Sequence, residues 1–332
     1  MKSFFLTLLF AAALAAQDKP AWIDNPQSQY SSAKYLSAVG GGDTRKSAES
    51  DAAAKLTMIF QSTIRAEQAV TDRYKELFTS PQNSTYEQQS EVTKNTSISS
   101  GETLYNFQIA ETFTDNLGKT YALAVIERGP TAEIYEKKIA ENEKVMTAYV
   151  NAFTGASDPV EKYASINAAA VFSTMNESLK KQLLIIMPGQ TVQPAPGYDD
   201  VTIRSLLNGA RKNIPFSISI ANDPDGKAVS ILKEMLTEMG FVVAERGVLR
   251  ISGDISFEKI DLKRPEQFVR WNYNLSVRTS SNVSIVSLSE NGREGHVTYE
   301  EAVARAARTM KQKIKKNFSR QIDAYFDSLV KK

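Results

Sequence analysis

Two short segments of the chain combine residue types that could bind phosphate or a metal ion. Gly40 to Gly42 stand between a predicted strand and a predicted helix, where backbone N–H groups and the helix dipole can hold phosphate. Arg45 takes the third glycine position of the dinucleotide fingerprint, so a tight strand-to-helix turn is the favoured interpretation. Asp223 to Gly226 carry acids as a calcium loop does, but Lys227 stands where such a loop has an oxygen ligand, which favours helix capping.

Nucleophilic and metal chemistry lack their usual residues. The chain has no Cys and one His, which excludes thiol nucleophiles, thiolate zinc sites, disulfides and sites of several imidazoles. That residue, His296, lies in a predicted turn before the last helix and has no triad partner at a credible spacing. We therefore predict a protein that is not an enzyme and holds no metal or cofactor. A hydrolase or binding protein for cell-wall glycan, working through paired carboxylates, is the alternative.

The last predicted helix carries a dense set of cations. It opens with a capping box, Thr298 to Glu301, and has no acid between Ala302 and Ile322. Such a set could contact phosphate, peptidoglycan or an anionic membrane surface. The solvated outer face of an amphipathic helix is the favoured interpretation. The cations of this candidate interaction surface are Arg305, Arg308, Lys311, Lys313, Lys315, Lys316 and Arg320.

Length, charge and the amino end bound the class of protein. The 332 residues, 42% of them hydrophobic, are enough for about two domains. A net charge of +2 supplies no global field for nucleic acid. Residues 1–16 combine Lys2, an apolar stretch and Ala13-x-Ala15, which predicts a secretory signal peptide. Because no Cys follows, we expect an exported protein without a lipid anchor, in the periplasm or at the outer membrane.

Hydrophobic periodicity predicts an α+β fold of two domains, each an antiparallel sheet with helices packed on one face. In the first, a strand at Tyr35–Val39 leads into a helix that Asp43 or Thr44 caps and that reaches Ile64. Three β segments follow near residues 85–99, 104–114 and 119–128. The middle one is expected to place Tyr105, Phe107, Ile109 and Phe113 on one side.

A predicted helical hairpin of two helices, 132–153 and 158–186, connects the first domain to the second half. Helices at 201–212 and 228–239, strands at 216–221 and 241–243, and three long strands then precede the last helix. In the middle long strand Val269 to Val277 alternate with polar residues, which predicts one buried and one wet face. The predicted organisation is a signal peptide (1–16), a first domain (17–129), the hairpin (130–187), a Pro-rich linker (188–200) and a second domain (201–332).

The amino-terminal domain resembles a known family. Pro20-Ala-Trp22-Ile23, then Tyr35 to Gly42, then the Ala-rich helix from Ala48 to Ile64 resemble the opening of the LPP-twenty family of bacterial envelope lipoproteins and the related amino-terminal domain of flagellar assembly protein T. The resemblance covers about residues 20–130. It implies a small α+β domain used for assembly, in which Trp22, Gly40 and Gly42 are structural. Family members typically carry lipid on a Cys, which this chain lacks.

Together these features predict an exported, non-enzymatic envelope protein that acts in structure or assembly. The expected partners are other envelope proteins or further copies of the chain. Peptidoglycan or an anionic membrane surface is the alternative partner, and nucleic acid is not expected.

Overall fold

A computed structural model describes residues 19–60, 68–79, 96–99, 102–189, 198–221, 223, 226–262 and 264–330. The predicted signal peptide lies outside these residues. The chain divides into two compact units. Unit 1 comprises Met1–Arg65, Ser90–Lys138 and Ser178–Thr191, and unit 2 comprises Ala66–Gln89, Ile139–Glu177 and Val192–Lys332.

The described residues confirm the α+β class. The α-helices are α1 (Arg45–Met58), α2 (Gln68–Phe78), α3 (Arg128–Gly155), α4 (Pro159–Ile186), α5 (Asp200–Lys212), α6 (Lys227–Glu238) and α7 (Tyr299–Val330). The strands are β1 (Tyr35–Gly42), β2 (Thr96–Ser99), β3 (Glu102–Tyr105), β4 (Phe107–Thr114), β5 (Thr120–Glu127), β6 (Phe216–Ala221), β7 (Leu249–Ile260), β8 (Gln267–Thr279) and β9 (Ser284–His296). Helix α2 was not predicted from the sequence.

Unit 1 contains a three-stranded antiparallel sheet in the order β1-β5-β4, and β2 and β3 form a separate antiparallel pair. Helix α1 packs on β1 and β5 and buries Ala48, Ala52 and Leu56. Thr44 is its N-cap, since the Thr44 side chain accepts a hydrogen bond from the Ser47 N–H at 3.1 Å. The predicted continuation of this helix to Ile64 falls partly outside the described residues.

A turn and a bulge interrupt the middle one of the three predicted β segments. The segment 104–114 breaks at Asn106, whose φ of 57° is left-handed, so β3 and β4 are separate strands. The register shifts again between Ile109 and Glu111. Because an extra residue reverses the side to which later side chains point, Phe113 lies on the opposite face from Phe107. The expectation that both share one side is therefore wrong.

Helices α3 and α4 contribute residues to both units. The last residue of α3 in unit 1 is Lys138, and α4 passes from unit 2 to unit 1 after Glu177. In unit 1 the Tyr135 hydroxyl donates to Gln182 Oε1 at 2.8 Å, and in unit 2 Asn142 Nδ2 donates to Asn176 Oδ1 at 2.8 Å. This pairing of early α3 residues with late α4 residues is that of an antiparallel helical hairpin.

The sheet of unit 2 has the order β6-β7-β8-β9 and is mixed. β7, β8 and β9 are antiparallel neighbours, but β6 and β7 are parallel, which corrects the prediction of a fully antiparallel sheet. The reason is the crossover through α6, which returns the chain to the end of the sheet where β6 began. The predicted strand at 241–243 is reduced to a single parallel bridge between Phe216 and Val243.

One face of this sheet is the core of unit 2. Along β8 the side chains from Val269 to Val277 alternate as predicted, with each core residue at most 3% exposed. Helix α7 buries one residue every four positions against this core. The buried residues of α7 at that spacing are Ala302, Ala306, Met310, Ile314, Phe318, Ile322, Phe326 and Val330.

The partners of the buried α7 side chains change along the helix. In an α-helix each step of four residues advances about 40° beyond a full turn. The start of α7 packs on the sheet. Phe318 then meets Phe216 of β6 at 5.9 Å between ring centroids, and Phe326 meets Tyr163 of α4 at 4.5 Å.

Within the described residues, every helix is too short or too polar to span a lipid bilayer.

Candidate interaction surface

Two of the predicted surface cations on α7 are paired with acids on α6. Lys311 Nζ lies 2.6 Å from Glu234 and 2.7 Å from Glu238, and Lys315 Nζ lies 2.8 Å from Glu238. Hydrogen bonds from Lys311 and Lys315 lower the pKa of the Glu238 carboxyl to about 2. The bonds to Glu234 and Glu238 raise the pKa of Lys311 in turn. These two lysines therefore link α7 to α6.

Two further cations of the set contact β9. Lys313 Nζ lies 3.0 Å from Glu290 Oε1, and this hydrogen bond lowers the pKa of the Glu290 carboxyl. The other carboxylate oxygen of Glu290 accepts from the Tyr273 hydroxyl and from Asn317 Nδ2, both at 3.0 Å. Arg305 Nη1 donates to the backbone carbonyl of Gly295 at 3.2 Å. The helix is thus fixed in rotation from both sides.

The remaining three cations form what we call the outer row: Arg308, Lys316 and Arg320. All three are exposed, and no carboxylate within the described residues pairs with them. Arg308 and Lys316 are eight residues apart, and Lys316 and Arg320 are four residues apart. Each lies about halfway around the helix from the neighbouring buried positions, and the row spans about 18 Å along the axis. The structure therefore divides the predicted set into four cations that contact α6 or β9 and three exposed cations that have no such contact within the described residues.

The predicted structural residues of the amino-terminal motif have physical roles. A Cβ on Gly40 would lie 2.1 Å from the backbone N of Ala52, and one on Gly42 would lie 2.1 Å from Ser47 Oγ. Both glycines therefore let α1 lie directly against β1. Trp22 is 4% exposed and packs against Leu123 on the other face of the sheet.

The glycine segment is not an open phosphate cradle. Gly40 to Gly42 are the last residues of β1 and are paired with β5. The Gly41 N–H, on the free edge of β1, donates to Asp51 Oδ2 at 2.9 Å, and Lys55 Nζ donates to the Val39 carbonyl at 3.2 Å. The side chains of α1 therefore occupy the backbone groups that a phosphate would need.

The predicted capping of α6 by this segment is present, but the N-cap residue is Gly226, and the Asp223 side chain caps the helix from three residues earlier. Its two carboxylate oxygens accept the backbone N–H groups of Ala228 at 3.1 Å and Val229 at 2.9 Å. It lines a cavity of about 620 Å³ in unit 2 together with Asp254, Ser256 and Tyr299. Within the described residues, no group of three or more acidic or histidine side chains is placed to hold a metal ion.

His296 lies in a different element from the one predicted. It is the last residue of β9 and not part of a turn, and it is paired with Gln267 of β8. Its Nδ1 is buried and has no hydrogen-bond partner in the described part of the chain.

A buried ion-pair cluster in unit 2 was missed at the sequence level. Arg73 of α2 donates two hydrogen bonds to Asp327 of α7, at 2.7 and 3.0 Å, and lies 3.5 Å from Asp323. Asp327 is 2% exposed. Burial lowers the pKa of Arg73, but the bond to Asp327 and the two carboxylates outweigh it and raise that pKa. The available signal was Asp323 and Asp327 at an i, i+4 spacing beside the apolar stripe of α7.

No protein-family model matches the chain, and no curated protein matches it. Membership of the LPP-twenty family therefore stays a prediction. Solved structures share partial similarity with the chain. A secreted protein of Helicobacter pylori is 12% identical, with a TM-score of 0.42 over 85% of this chain and 96% of that one.

Two lipoproteins match over shorter stretches. A minor lipoprotein of Acinetobacter baumannii is 14% identical over 33% of this chain and 90% of its own, with a TM-score of 0.27. The rare lipoprotein B of Shewanella oneidensis is 12% identical over 35% and 93%, with a TM-score of 0.21. The chain is thus similar, at a level too low to establish a shared fold, to bacterial proteins described as lipoproteins or as secreted.

Proposed function

We propose that this chain is an exported, non-enzymatic component of the bacterial cell envelope that binds an acidic surface of another envelope protein through the outer row of α7. The observation that carries the proposal is the division of the α7 cations. Four are held by α6 and β9, while Arg308, Lys316 and Arg320 have no acid partner within the described residues. Export rests on the predicted signal peptide.

The rigidity of α7 supports this role. The bonds of Lys311 and Lys315 to α6, and those of Lys313 and Asn317 to Glu290, hold the helix from both sides. The outer row is therefore presented in one orientation before a partner arrives, which lowers the entropic cost of binding.

The size of the outer row favours a protein over a membrane. Cytoplasmic membrane-binding segments use clusters of about 4–8 basic residues, each worth about 1 kcal/mol near an anionic surface. The outer row has three cations, and with Arg305, which is exposed and donates only to the Gly295 carbonyl, the cations of α7 without an acid partner in the described residues only just reach the lower limit of that range. Gln312, four residues from both Arg308 and Lys316, is exposed and polar and therefore cannot insert into lipid.

Crosslinking in cells tests the proposal. A photoreactive amino acid at Gln312 should form an adduct with an envelope protein. The adduct should disappear when Arg308, Lys316 and Arg320 are all changed to Glu. The matched control changes three exposed lysines, Lys46, Lys212 and Lys233, to Glu. These lysines form no salt bridge within the described residues, and their substitution gives the same change in net charge. This control should keep the adduct.

Two results would count against the proposal. One is recovery of the monomer alone from Gln312 crosslinking, together with no phenotype on deletion. The other is sedimentation with vesicles rich in phosphatidylglycerol that depends on the outer row, since this would identify a membrane as the partner.

A further inference from the structure

The solvent-facing side of the unit 2 sheet carries an unusual set of side chains at one end. Two adjacent rows run across all four strands. In the first row β6, β7, β8 and β9 contribute Ser217, Arg250, Arg278 and Ser284. In the second they contribute Ser219, Ser252, Ser276 and Ser287. We call these eight residues the Arg–Ser patch.

The two arginines of the patch are directly opposite each other. Arg250 and Arg278 are register partners on antiparallel strands, so their Cβ atoms are about 5 Å apart. Neither forms a salt bridge with a carboxylate in the described residues. Arg278 Nη1 donates only to Asn282, to its Oδ1 at 3.4 Å and to its backbone carbonyl at 3.5 Å. The Arg250 side chain makes no hydrogen bond within the described residues. Like charges in this position destabilise a sheet.

Serine hydroxyls surround these charges. Ser252 Oγ and Ser276 Oγ lie 3.2 Å apart, and the patch contains six serines and no acid. The nearest acid in the next row is Asp254, which is the partner of Asn274. Arg250, Ser219, Ser284 and Ser287 are exposed, whereas Ser217 is buried, with 7% exposure. The patch is therefore a positive surface with several accessible hydroxyl donors, about 14 Å wide across four strands.

Two guanidinium groups beside hydroxyl donors are suited to a doubly charged oxyanion. Arginine binds phosphate through paired hydrogen bonds, and serine hydroxyls can donate to the remaining oxygens. A phosphate monoester carries a charge of about −1.5 to −2 at pH 7, which matches two arginines. A carboxylate would neutralise one arginine and leave the other unpaired.

We infer that the Arg–Ser patch binds the phosphate group of a phosphate monoester ligand. The bound phosphate relieves the repulsion between Arg250 and Arg278. The site is on the open sheet face and uses no residue of the outer row of α7, so it stands independently of the proposed function.

Thermal unfolding of the full chain tests this inference with inorganic phosphate as the probe, at pH 7.5 and constant ionic strength. Phosphate should raise the melting temperature in a saturable way at millimolar concentration, and acetate should not. In the double variant Arg250→Gln/Arg278→Gln, the phosphate-dependent rise in melting temperature should be at least five-fold smaller than in the parent. Without phosphate it should melt no lower than the parent, because removing the like charges relieves repulsion.

The chain offers a matched control on the same face. Arg270 and Arg293 are also register partners, on β8 and β9. Arg270 has a second register partner, Glu258 of β7, so an acid lies directly beside this arginine pair. The variant Arg270→Gln/Arg293→Gln should therefore retain the phosphate response. The inference is overturned if phosphate stabilises the parent no more than acetate does, or if the Arg250/Arg278 and Arg270/Arg293 variants respond alike.

Discussion

Neighbouring glycines in β1 differ sharply in the space around them. A Cβ on Gly40 would collide with backbone atoms of Ala48 and Ala52, which no side-chain movement can relieve. We expect Gly40→Ala to destabilise unit 1 by about 3 kcal/mol, since α1 must move away from the sheet. Urea unfolding followed by circular dichroism measures the change.

Gly41 provides the control for this prediction. A Cβ there would have Lys119 Cε as its nearest contact, at 3.5 Å, which is an ordinary separation. Gly41→Ala should change stability by no more than about 1 kcal/mol. Equal effects of the two substitutions would contradict the close approach of α1 to Gly40.

The two acids near Arg73 should respond oppositely to substitution. Asp327→Asn removes the charge that pairs with the buried Arg73 and should cost about 3–5 kcal/mol at pH 7. Asp323 differs because burial raises the pKa of its carboxyl, although Arg73 opposes the shift. Its ionisation is therefore unfavourable in the folded state.

The pH dependence of Asp323→Asn follows from that direction. A carboxyl whose pKa is higher in the folded protein binds more protons there, so stability falls as pH rises from the ordinary value of 3.8 through the raised pKa. The Asn variant lacks this loss. Its stability relative to the parent should be greater at pH 7 than at pH 3, and urea titrations at both values test this. An unchanged difference would contradict the raised pKa.

At the scale of elements, the break between β3 and β4 depends on one residue. Asn106 has a left-handed φ of 57°, and its Nδ2 donates to Thr131 Oγ1 at 3.0 Å. Asn106→Val should cost about 1–3 kcal/mol, because a β-branched residue is strained at this φ. Asn106→Gly should cost about 1 kcal/mol, since it loses only the hydrogen bond. A Val variant as stable as the Gly variant would disprove the strain argument, and thermal unfolding measures both.

Periodicity predicted most elements because burial of one face leaves a direct trace in the sequence. The alternation along β8 and the four-residue spacing of Ala302 to Ile322 are examples. The bulge after Ile109 and the parallel pairing of β6 had no such trace. Both depend on which strand becomes the neighbour, and that is decided by contacts distant in sequence.

The candidate surface was predictable in composition but not in detail. The sequence places seven cations on one helix, yet Lys311 and Lys315 find their acids on α6, more than seventy residues earlier. Spacing along α7 cannot distinguish these lysines from Lys316. The Arg–Ser patch likewise requires the register of four strands, since no short stretch of sequence contains it.

At the scale of the whole molecule, unit 2 uses three separate stretches of chain. Its core includes Tyr163 and Phe172 of α4 as well as Phe216 and Phe318. A fragment of residues 201–332 therefore lacks part of the core that its sheet and α7 must bury. We expect this fragment, expressed alone, to show no cooperative thermal transition by circular dichroism.

A fragment of residues 66–332 serves as the comparison, because it retains all three stretches assigned to unit 2. It should unfold cooperatively. If residues 201–332 alone unfold with the same cooperativity as the longer fragment, the contribution of α4 to this core is not needed.

The four-residue spacing of buried side chains on α7 also has a consequence for the order of events during synthesis. Successive turns of α7 complete the packing on the sheet, then on β6, then on α4, and Val330 at its end is still part of the core. Unit 2 therefore cannot complete its core until all of α7 has emerged from the ribosome.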